Sequence, residues 1–214
     1  IAFSKMHVRV KEEIVNSGLR DTKLEHTAPK ITPEQLLKFY EDKKDFVIVD
    51  ARNWYESKIG KFKNAITPQI THFREWPKVV ESLSEYKEKT IVTYCTGGIR
   101  CEKASAYMRE QGFKDVYQID GGILNYIQQF PDTYWEGGMF VFDDRKVLDS
   151  NTKEELKYIA SCYFCNKPTS YHINCHNQDC DKIFVCCHDC KIEKEYCCSD
   201  ECRTSGNKRK NYDG

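Results

Sequence analysis

The sequence has no excess of charge of either sign and no long hydrophobic run. Its 214 residues include 33 Lys and Arg against 33 Asp and Glu, so the chain lacks the broad basic field of many nucleic-acid-binding proteins. No window of about 18 consecutive apolar residues is present, and the first residues lack the apolar core of a signal peptide. We therefore expect a cytoplasmic protein without a membrane segment, and any contact with nucleic acid has to rest on local features.

Sequence motifs for the common redox cofactors are also lacking. There is no dinucleotide-binding glycine fingerprint. The six histidines do not reveal a triad of two histidines and one carboxylate, the arrangement that holds non-haem iron. We therefore expect neither a flavin nor a nicotinamide cofactor.

The twelve cysteines are distributed unevenly along the chain. Ten of them lie between Cys162 and Cys202, and the other two are Cys95 and Cys101. A secreted disulfide scaffold would be a short chain with its cysteines spread along it, whereas clusters at paired spacings indicate metal ligation in a reducing compartment. The composition changes at Asn151 to cysteine, histidine and charge, which predicts a second module.

Strand-length apolar runs alternate with helical segments in the first part of the chain. Residues 46–50 and 90–94 are continuous apolar or β-branched runs, and residues 115–119 follow a helical segment. Thr32 before Pro33 is a good helix start, because threonine caps a helix and proline fits its first position. This alternation predicts an α/β fold with an open, mostly parallel sheet flanked by helices, followed by a small cysteine-rich module.

A cysteine lies at the junction between the second of these strands and a helix. In open α/β sheets, ligands bind beyond the carboxyl ends of the strands, where Asp50, Cys95 and Asp120 fall. The helix after Arg100 ends at Gly112, and one of its faces should be buried. That face consists of Cys101, Ala104, Ser105 and Met108.

The residues around Cys95 have the properties of an anion-binding loop. Backbone N–H groups and the positive end of the following helix stabilise a thiolate, so we expect Cys95 to be a nucleophile or a persulfide carrier. Arg100 should assist it, and either binds an anionic group of the substrate or folds back on the loop. The candidate donors to the substrate are the backbone groups of Thr96, Gly97, Gly98, Ile99 and Arg100.

Three further residues near the loop allow two interpretations each. Asp50 and Arg52 are candidate substrate-binding residues, but they also have the spacing to brace one another, which is the interpretation we favour. Cys101 is either a small core hydrophobe or a thiol that resolves an oxidised Cys95 as a disulfide.

The cysteine-rich module contains four cysteine pairs at spacings typical of structural zinc sites. These pairs are Cys162 with Cys165, Cys175 with Cys180, Cys187 with Cys190, and Cys198 with Cys202. Four pairs make two tetrahedral zinc sites. The Tyr196-Cys-Cys-Ser-Asp-Glu-Cys202 end resembles zinc-binding modules with interleaved pairs. This resemblance implies a cross-brace, in which the first and third pairs hold one ion and the second and fourth pairs hold the other. Because aliphatic residues are few, metal binding should supply much of the module's stability.

Several neighbouring residues are alternatives to this ligand set. Cys186 and Cys197 adjoin Cys187 and Cys198, so the choice of ligand can shift by one residue. His172, His176 and His188 are further alternatives, although a surface position or a hydrogen bond to a ligand is the more common role of such histidines.

The Cys95 loop and three other segments resemble the rhodanese, or sulfurtransferase, family. The loop reads Cys-x4-Arg, one residue shorter than the Cys-x5-Arg loop that encircles phosphate, and the rhodanese cysteine carries a persulfide. The other segments are Val49-Asp-Ala-Arg52, Gly60 with Ala65-Ile66, and Asp120-Gly-Gly-Ile123. The resemblance covers about residues 30–135 and implies a rhodanese-like fold.

The extended string Cys95-Thr-Gly-Gly-Ile-Arg-Cys-Glu-Lys103, together with the cysteine-rich tail, looks like the family of oxygen-dependent tRNA uridine hydroxylases. That resemblance implies dioxygen as co-substrate, tRNA as partner, 5-hydroxyuridine at the wobble position as product, and Cys95 as the catalytic residue. A sulfurtransferase that carries a persulfide on Cys95 is the alternative. A non-enzymatic scaffold is a third possibility, which the complete loop disfavours.

The same resemblance sets the expected domain organisation. Residues 1–29 should be a connector and the end of an upstream domain, since members of the family have an N-terminal domain that is mostly lacking here. A rhodanese-like domain is expected over 30–150 and the zinc module over 151–206. The basic residues at 207–214 predict a mobile tail, for which phosphate binding is the functional alternative.

Overall fold

The computed structural model describes residues 8, 10–131, 133–141, 147–148 and 158–209. The chain divides into two compact units, Ile1–Leu156 and Lys157–Gly214. The expected boundary at residues 150 and 151 and most of the expected tail, residues 210–214, lie outside the described residues. None of the described helices is long and apolar enough to cross a membrane.

The first unit contains eight strands and five α-helices among its described residues. The strands are β1 (Lys30–Ile31), β2 (Phe46–Asp50), β3 (Gly60–Phe62), β4 (Thr90–Tyr94), β5 (Asp115–Ile119), β6 (Trp135–Gly137), β7 (Met139–Phe140) and β8 (Val147–Leu148). The helices are α1 (Pro33–Glu41), α2 (Trp54–Ile59), α3 (Trp76–Ser82), α4 (Ile99–Glu110) and α5 (Gly122–Gln129). Short 3-10 helices cover Leu24–His26, Phe73–Glu75 and Ser84–Tyr86.

Four of these strands form the parallel sheet on which the unit is built. Their order is β1-β5-β4-β2, and every pairing in this sheet is parallel. Strands β2 and β4 are the continuous apolar runs of the sequence, and they pair in register from Phe46 with Thr90 to Asp50 with Tyr94. The predicted α/β fold with a mostly parallel sheet is therefore confirmed.

Helices cover both faces of the sheet, as a parallel sheet requires. One face packs against α3 and α4, with Trp76 and Met108 fully buried. The other packs against α1 and α5, with Leu36 and Tyr126 fully buried. Helix α1 begins as predicted, because Thr32 accepts a hydrogen bond from Gln35 N–H and the Gln35 side chain accepts one from Thr32 N–H. Two-stranded pairings of β3 with β6 and of β7 with β8 complete the unit.

Part of the segment expected to be a connector lies along α4. Lys103 Nζ donates to the carbonyl oxygens of Leu19 and Thr22 at 3.1 and 3.3 Å. Farther along the helix, Arg109 Nη1 donates to the carbonyls of His26 and Thr27 at 2.8 and 3.0 Å. Residues 19–27 are thus held by the helix that follows the Cys95 loop.

The second unit has little regular structure. Its described elements are β9 (His172–Asn174), β10 (Ile183–Val185), α6 (His188–Glu193) and α7 (Asp200–Thr204), and β9 pairs with β10 in antiparallel register. Eight of the ten residues in its buried cluster are cysteines, and the other two are Ile173 and Phe184. This composition agrees with the prediction that apolar burial alone does not hold the module together.

Candidate active site and cysteine groups

The loop 95–98 connects the end of β4 to the start of α4, and two helix N-termini meet at it. Gly98 adopts φ +92°, a left-handed conformation that glycine tolerates without strain. From the other side, α5 binds the loop backbone, since Ile123 N–H donates to the Cys95 carbonyl at 3.0 Å and Leu124 N–H donates to the Thr96 carbonyl at 3.1 Å. A Cβ at Gly122 would clash with these same carbonyl oxygens, so glycine is required for this close approach.

The Cys95 side chain lies at the base of this loop and is 2 % exposed. Gly98 N–H donates to Cys95 Sγ at 3.2 Å. A hydrogen bond from the Cys101 thiol lowers the pKa of Cys95 below its ordinary value of 9.0. Burial opposes this shift, while the Arg100 guanidinium and the backbone N–H groups of Cys101 and Arg100 add to it. The loop therefore stabilises a thiolate on Cys95.

Cys101 is a fully buried residue of α4, as the core interpretation expects. Burial is the main cause that raises the pKa of Cys101, and the neighbouring Cys95 raises it further. These opposite shifts favour Cys95 as the thiolate of the pair and Cys101 as the protonated thiol.

We expect that replacing Cys101 by alanine raises the pKa of Cys95, because it removes the hydrogen bond that lowers this pKa most. Serine keeps an O–H donor at this position. The rate at which iodoacetamide alkylates Cys95 follows its thiolate fraction, so the midpoint of the rate against pH should lie below 9.0 in the parent and the Cys101→Ser variant. In Cys101→Ala the midpoint should move upward. Mass spectrometry of the Cys95 peptide measures the rate, and an unmoved midpoint in the alanine variant would contradict this role of Cys101.

Arg100 folds back towards the protein, which is one of the two positions expected from the sequence. Its Nη1 and Nη2 atoms donate to the two carboxylate oxygens of Glu56 at 2.6 and 2.8 Å. Nη2 also lies 3.5 Å from Thr96 Oγ1. The Glu56 side chain is fully buried and that of Arg100 is 11 % exposed. This bidentate pair fixes the guanidinium beside Cys95.

Glu56 is the residue of this site that sequence reasoning missed. It lies on α2 and accepts a hydrogen bond from Asn53 N–H at 3.1 Å, completing a capping box. The Asn53-x-x-Glu56 spacing is the available sequence signal, but it predicts only a helix start. The pairing with Arg100 joins residues 44 positions apart, which no local pattern shows.

Asp50 and Arg52 form a buried ion pair that does not reach the surface. Arg52 Nη2 lies 2.7 Å from Asp50 Oδ2 and 2.6 Å from the Gly60 carbonyl, and both side chains are fully buried. Arg52 also lies over the rings of Tyr94 and Trp135. The structure therefore favours the bracing role and corrects their placement among the substrate-binding candidates, because neither side chain is accessible to a ligand.

The accessible rim of the loop consists of the other candidates. Gly97 is exposed, Ile99 is 48 % exposed, and Thr96 and Gly98 are half-buried. Beside Ile99, a cavity of about 260 Å³ opens between the start of α4 and the 12–15 segment. Since Cys95 is 2 % exposed, these rim residues are the part of the loop that solvent reaches.

In the second unit, the structure brings together the cysteines of alternating pairs. One group contains Cys162, Cys165, Cys187 and Cys190, and the other contains Cys175, Cys180, Cys198 and Cys202. Within each group all four sulfur atoms lie within 4.8 Å of one another. These are the two sets that the cross-brace predicts, and either set is able to hold a metal ion.

The alternative ligands stay outside both groups. Cys186 and Cys197 are buried but belong to neither group. The histidines are not buried and also belong to neither group; they are His172, His176 and His188. The Cys186 thiol is directed to the Cys187 carbonyl at 3.5 Å. Asn166, directly after the first pair, adopts φ +59°, a left-handed conformation that asparagine tolerates better than most residues.

Two family models match this chain. Residues 32–129 match the rhodanese-like domain, and residues 136–203 match the rhodanase C-terminal region. Among solved structures, a thiosulfate sulfurtransferase from Pseudomonas aeruginosa is 15 % identical with a TM-score of 0.45, over 57 % of this chain and 23 % of that one.

Curated relatives are more similar in sequence. A protein of Cytophaga hutchinsonii named tRNA uridine(34) hydroxylase is 43 % identical over 183 residues, which are 85 % of this chain and 58 % of that protein. A protein of the same name from Staphylococcus aureus is 46 % identical over 187 residues, with the same two coverages. The chain thus spans somewhat less than three fifths of the length of these relatives. The resemblance expected from the extended Cys95 loop is confirmed.

Proposed function

Because the chain belongs to the rhodanese-like family of the tRNA uridine(34) hydroxylases, we propose that it acts, within its full-length protein, in the oxygen-dependent hydroxylation of the wobble uridine of tRNA to 5-hydroxyuridine in the cytoplasm. The observation that carries this proposal is the complete Cys95 loop in a chain that is 43 % identical to such a relative over 85 % of its length. tRNA and dioxygen are the implied substrates.

In this proposal the Cys95 thiolate is the reacting group. Its sulfur adds to C6 of the uracil ring, and the electron pair of the C5–C6 double bond moves towards C5 and the O4 carbonyl. C5 then becomes the carbon that accepts an oxygen atom. Loss of the C5 proton and departure of the thiolate restore the double bond. One atom of dioxygen enters the product, and the other leaves as water with two electrons and two protons from an external reductant.

The remaining residues of the loop hold this thiolate in place. Arg100, fixed by Glu56, keeps a positive charge beside Cys95, and Gly98 N–H donates to the sulfur. These fixed donors stabilise the thiolate before it adds to the ring and again when it departs, without reorganisation of the site. Thr96, Gly97 and Ile99 at the rim are the positions where the nucleotide would meet the protein.

We propose that the two cysteine groups bind one structural zinc ion each. Four sulfur atoms at about 2.3 Å from a tetrahedral Zn²⁺ lie about 3.8 Å from each other. Cys165 and Cys187 Sγ are 3.6 Å apart, as are Cys180 and Cys198, and Cys198 and Cys202 are 3.8 Å apart. Four thiolates close each site, so the metal would supply folding free energy and not a catalytic position.

Mass spectrometry of tRNA nucleosides tests the proposed activity with the full-length protein. In a strain without a redundant pathway, deletion of the gene should remove 5-hydroxyuridine at position 34, and the full-length protein should restore it. Unchanged 5-hydroxyuridine after deletion would contradict the proposal. The same loop also suits a persulfide, so thiocyanate formation from thiosulfate and cyanide by the purified protein, without hydroxyuridine formation in cells, would favour sulfur transfer.

A further inference from the structure

The turn between the first two cysteines of the second unit displays an aromatic side chain to solvent. Tyr163 is 55 % exposed, although Cys162 before it is buried and Phe164 after it is partly buried against the cysteine cluster. Its ring meets those of Phe164 and Phe184 edge to face, at centroid distances of 5.1 and 5.9 Å. Phe184 is 2 % exposed beneath these contacts, whereas more than half of the Tyr163 surface stays open to solvent.

The backbone of this turn is held firmly. Tyr163 N–H donates to the Val185 carbonyl at 2.9 Å, which ties the turn to β10. Asn166 N–H donates to the Cys162 carbonyl at 3.0 Å and closes the turn between the cysteines. The ring is thus presented on a fixed support, and ordering it on a ligand would cost little side-chain entropy.

A positive charge lies over one face of the Tyr163 ring, so a stacked base would use the opposite face. Lys182 Nζ is 4.7 Å from the centroid of Tyr163, and the lysine side chain is exposed. None of the ion pairs between described residues engages Lys182, whereas the nearby Lys167 and Lys194 pair with Asp189 and Glu193. Its ammonium group is therefore available to a phosphate without breaking an ion pair.

We propose that Tyr163 and Lys182 form a stacking site for an unpaired nucleotide of RNA. An aromatic ring accepts the π-face of any base, and an adjacent ammonium group meets the phosphate of the same nucleotide. The chain has a formal net charge of zero, so RNA recognition has to come from a local arrangement of this kind and not from a general basic field. The choice of RNA as partner rests on the proposed function, while the site itself rests on the contacts of the turn between Cys162 and Cys165.

Binding of a fluorescent single-stranded oligouridine RNA to the zinc-loaded chain, measured by anisotropy, tests this site. Tyr163→Leu should weaken binding about 5- to 100-fold, the range found for loss of base–aromatic stacking, while Tyr163→Phe should stay within about twofold because it keeps the ring. Lys182→Ala should cause a smaller loss that diminishes at high salt, since it removes one phosphate contact. Tyr158→Leu is the matched control, because Tyr158 is a comparably exposed tyrosine of the same unit at 47 %.

Two results would overturn the proposal. One is an unchanged dissociation constant in Tyr163→Leu with unchanged zinc content, which would leave the exposed ring as a surface for another protein. The other is an equal loss in Tyr158→Leu, which would show a general effect of tyrosines. Both readouts are binding constants of this chain, so they are independent of whether the full-length protein forms 5-hydroxyuridine.

Discussion

Replacement of Cys95 by serine is expected to abolish formation of 5-hydroxyuridine. Serine fits the buried position at the end of β4, but its hydroxyl group is not ionised at neutral pH and the loop has no base placed to activate it. The loop stabilises an anion on sulfur through Gly98 N–H, the Cys101 thiol and Arg100, and these contacts give no comparable nucleophile when the atom is oxygen. The level of 5-hydroxyuridine in tRNA from a deletion strain that carries the full-length variant measures the effect.

Cys101→Ser is the matched control for this experiment. It changes the other cysteine of the loop but keeps a donor for the Cys95 sulfur, so hydroxyuridine should remain close to the parent level. Equal thermal unfolding of both variants would show that the first unit is intact. Full activity of the Cys95→Ser protein would exclude a cysteine mechanism, and incorporation of labelled dioxygen into the nucleoside would then have to proceed through another group.

The sheet and the loop could be predicted because their signals are local. A continuous apolar run at 46–50, and another at 90–94, specifies a strand buried on both faces, and Thr32 followed by Pro33 specifies a helix start. The buried face of α4 was also predicted, as was Gly112 as the stop after the helix: α4 ends at Glu110, and Gly112 adopts φ +88°. A helical repeat of 3.6 residues and a single positive-φ residue each involve only residues close together in sequence. Both can therefore be recognised from the sequence alone.

The contacts that the sequence did not reveal join distant parts of the chain. Glu56 reaches Arg100 across 44 positions, and Lys103 holds the Leu19 carbonyl across 84 positions. The latter contact uses a backbone carbonyl, which every residue has, so residues 19–27 offered no pattern to distinguish a docked segment from a connector. Asp50 and Arg52 posed a different difficulty, because charged residues after a strand suit both ligand binding and a buried brace. Burial decided between these roles, and burial is a property of the whole fold.

The alternating assignment of cysteine pairs was different, because it came from the resemblance of the Tyr196–Cys202 end to zinc-binding modules with interleaved pairs. Four short-spaced pairs in one small module have few ways to form two closed sites, and the interleaved arrangement lets each site tie distant segments together. In the structure the first site ties the turn at Cys162 to α6, and the second ties the 175–180 segment to α7. Spacing alone could not exclude Cys186 and Cys197 as metal ligands, because each is only one residue away from the cysteine that joins the group. What distinguishes such neighbours is the side of the backbone on which the thiol lies, and the fold decides that.

Replacement of Cys187 by serine is expected to unfold the second unit while the first unit keeps its structure. The substitution should release one zinc ion per chain, because serine oxygen is a poor ligand for a site built of thiolates. Structural zinc contributes about 10–16 kcal/mol of binding free energy in zinc-finger peptides, which equals or exceeds the whole stability of a typical domain, about 5–15 kcal/mol. Zinc content by mass spectrometry and proteolysis within 158–209 measure the two effects.

Cys186→Ser is the control that separates loss of a ligand from loss of a buried thiol. Cys186 adjoins Cys187 and is fully buried, but its sulfur lies outside both groups. Its replacement should keep both zinc ions and cost only the order of 1–3 kcal/mol of a buried polar substitution. If Cys186→Ser loses zinc and Cys187→Ser retains it, the ligand set is shifted by one residue. Since Ile173 and Phe184 are the only other members of the buried cluster described here, loss of either ion leaves too little apolar surface to keep this unit folded.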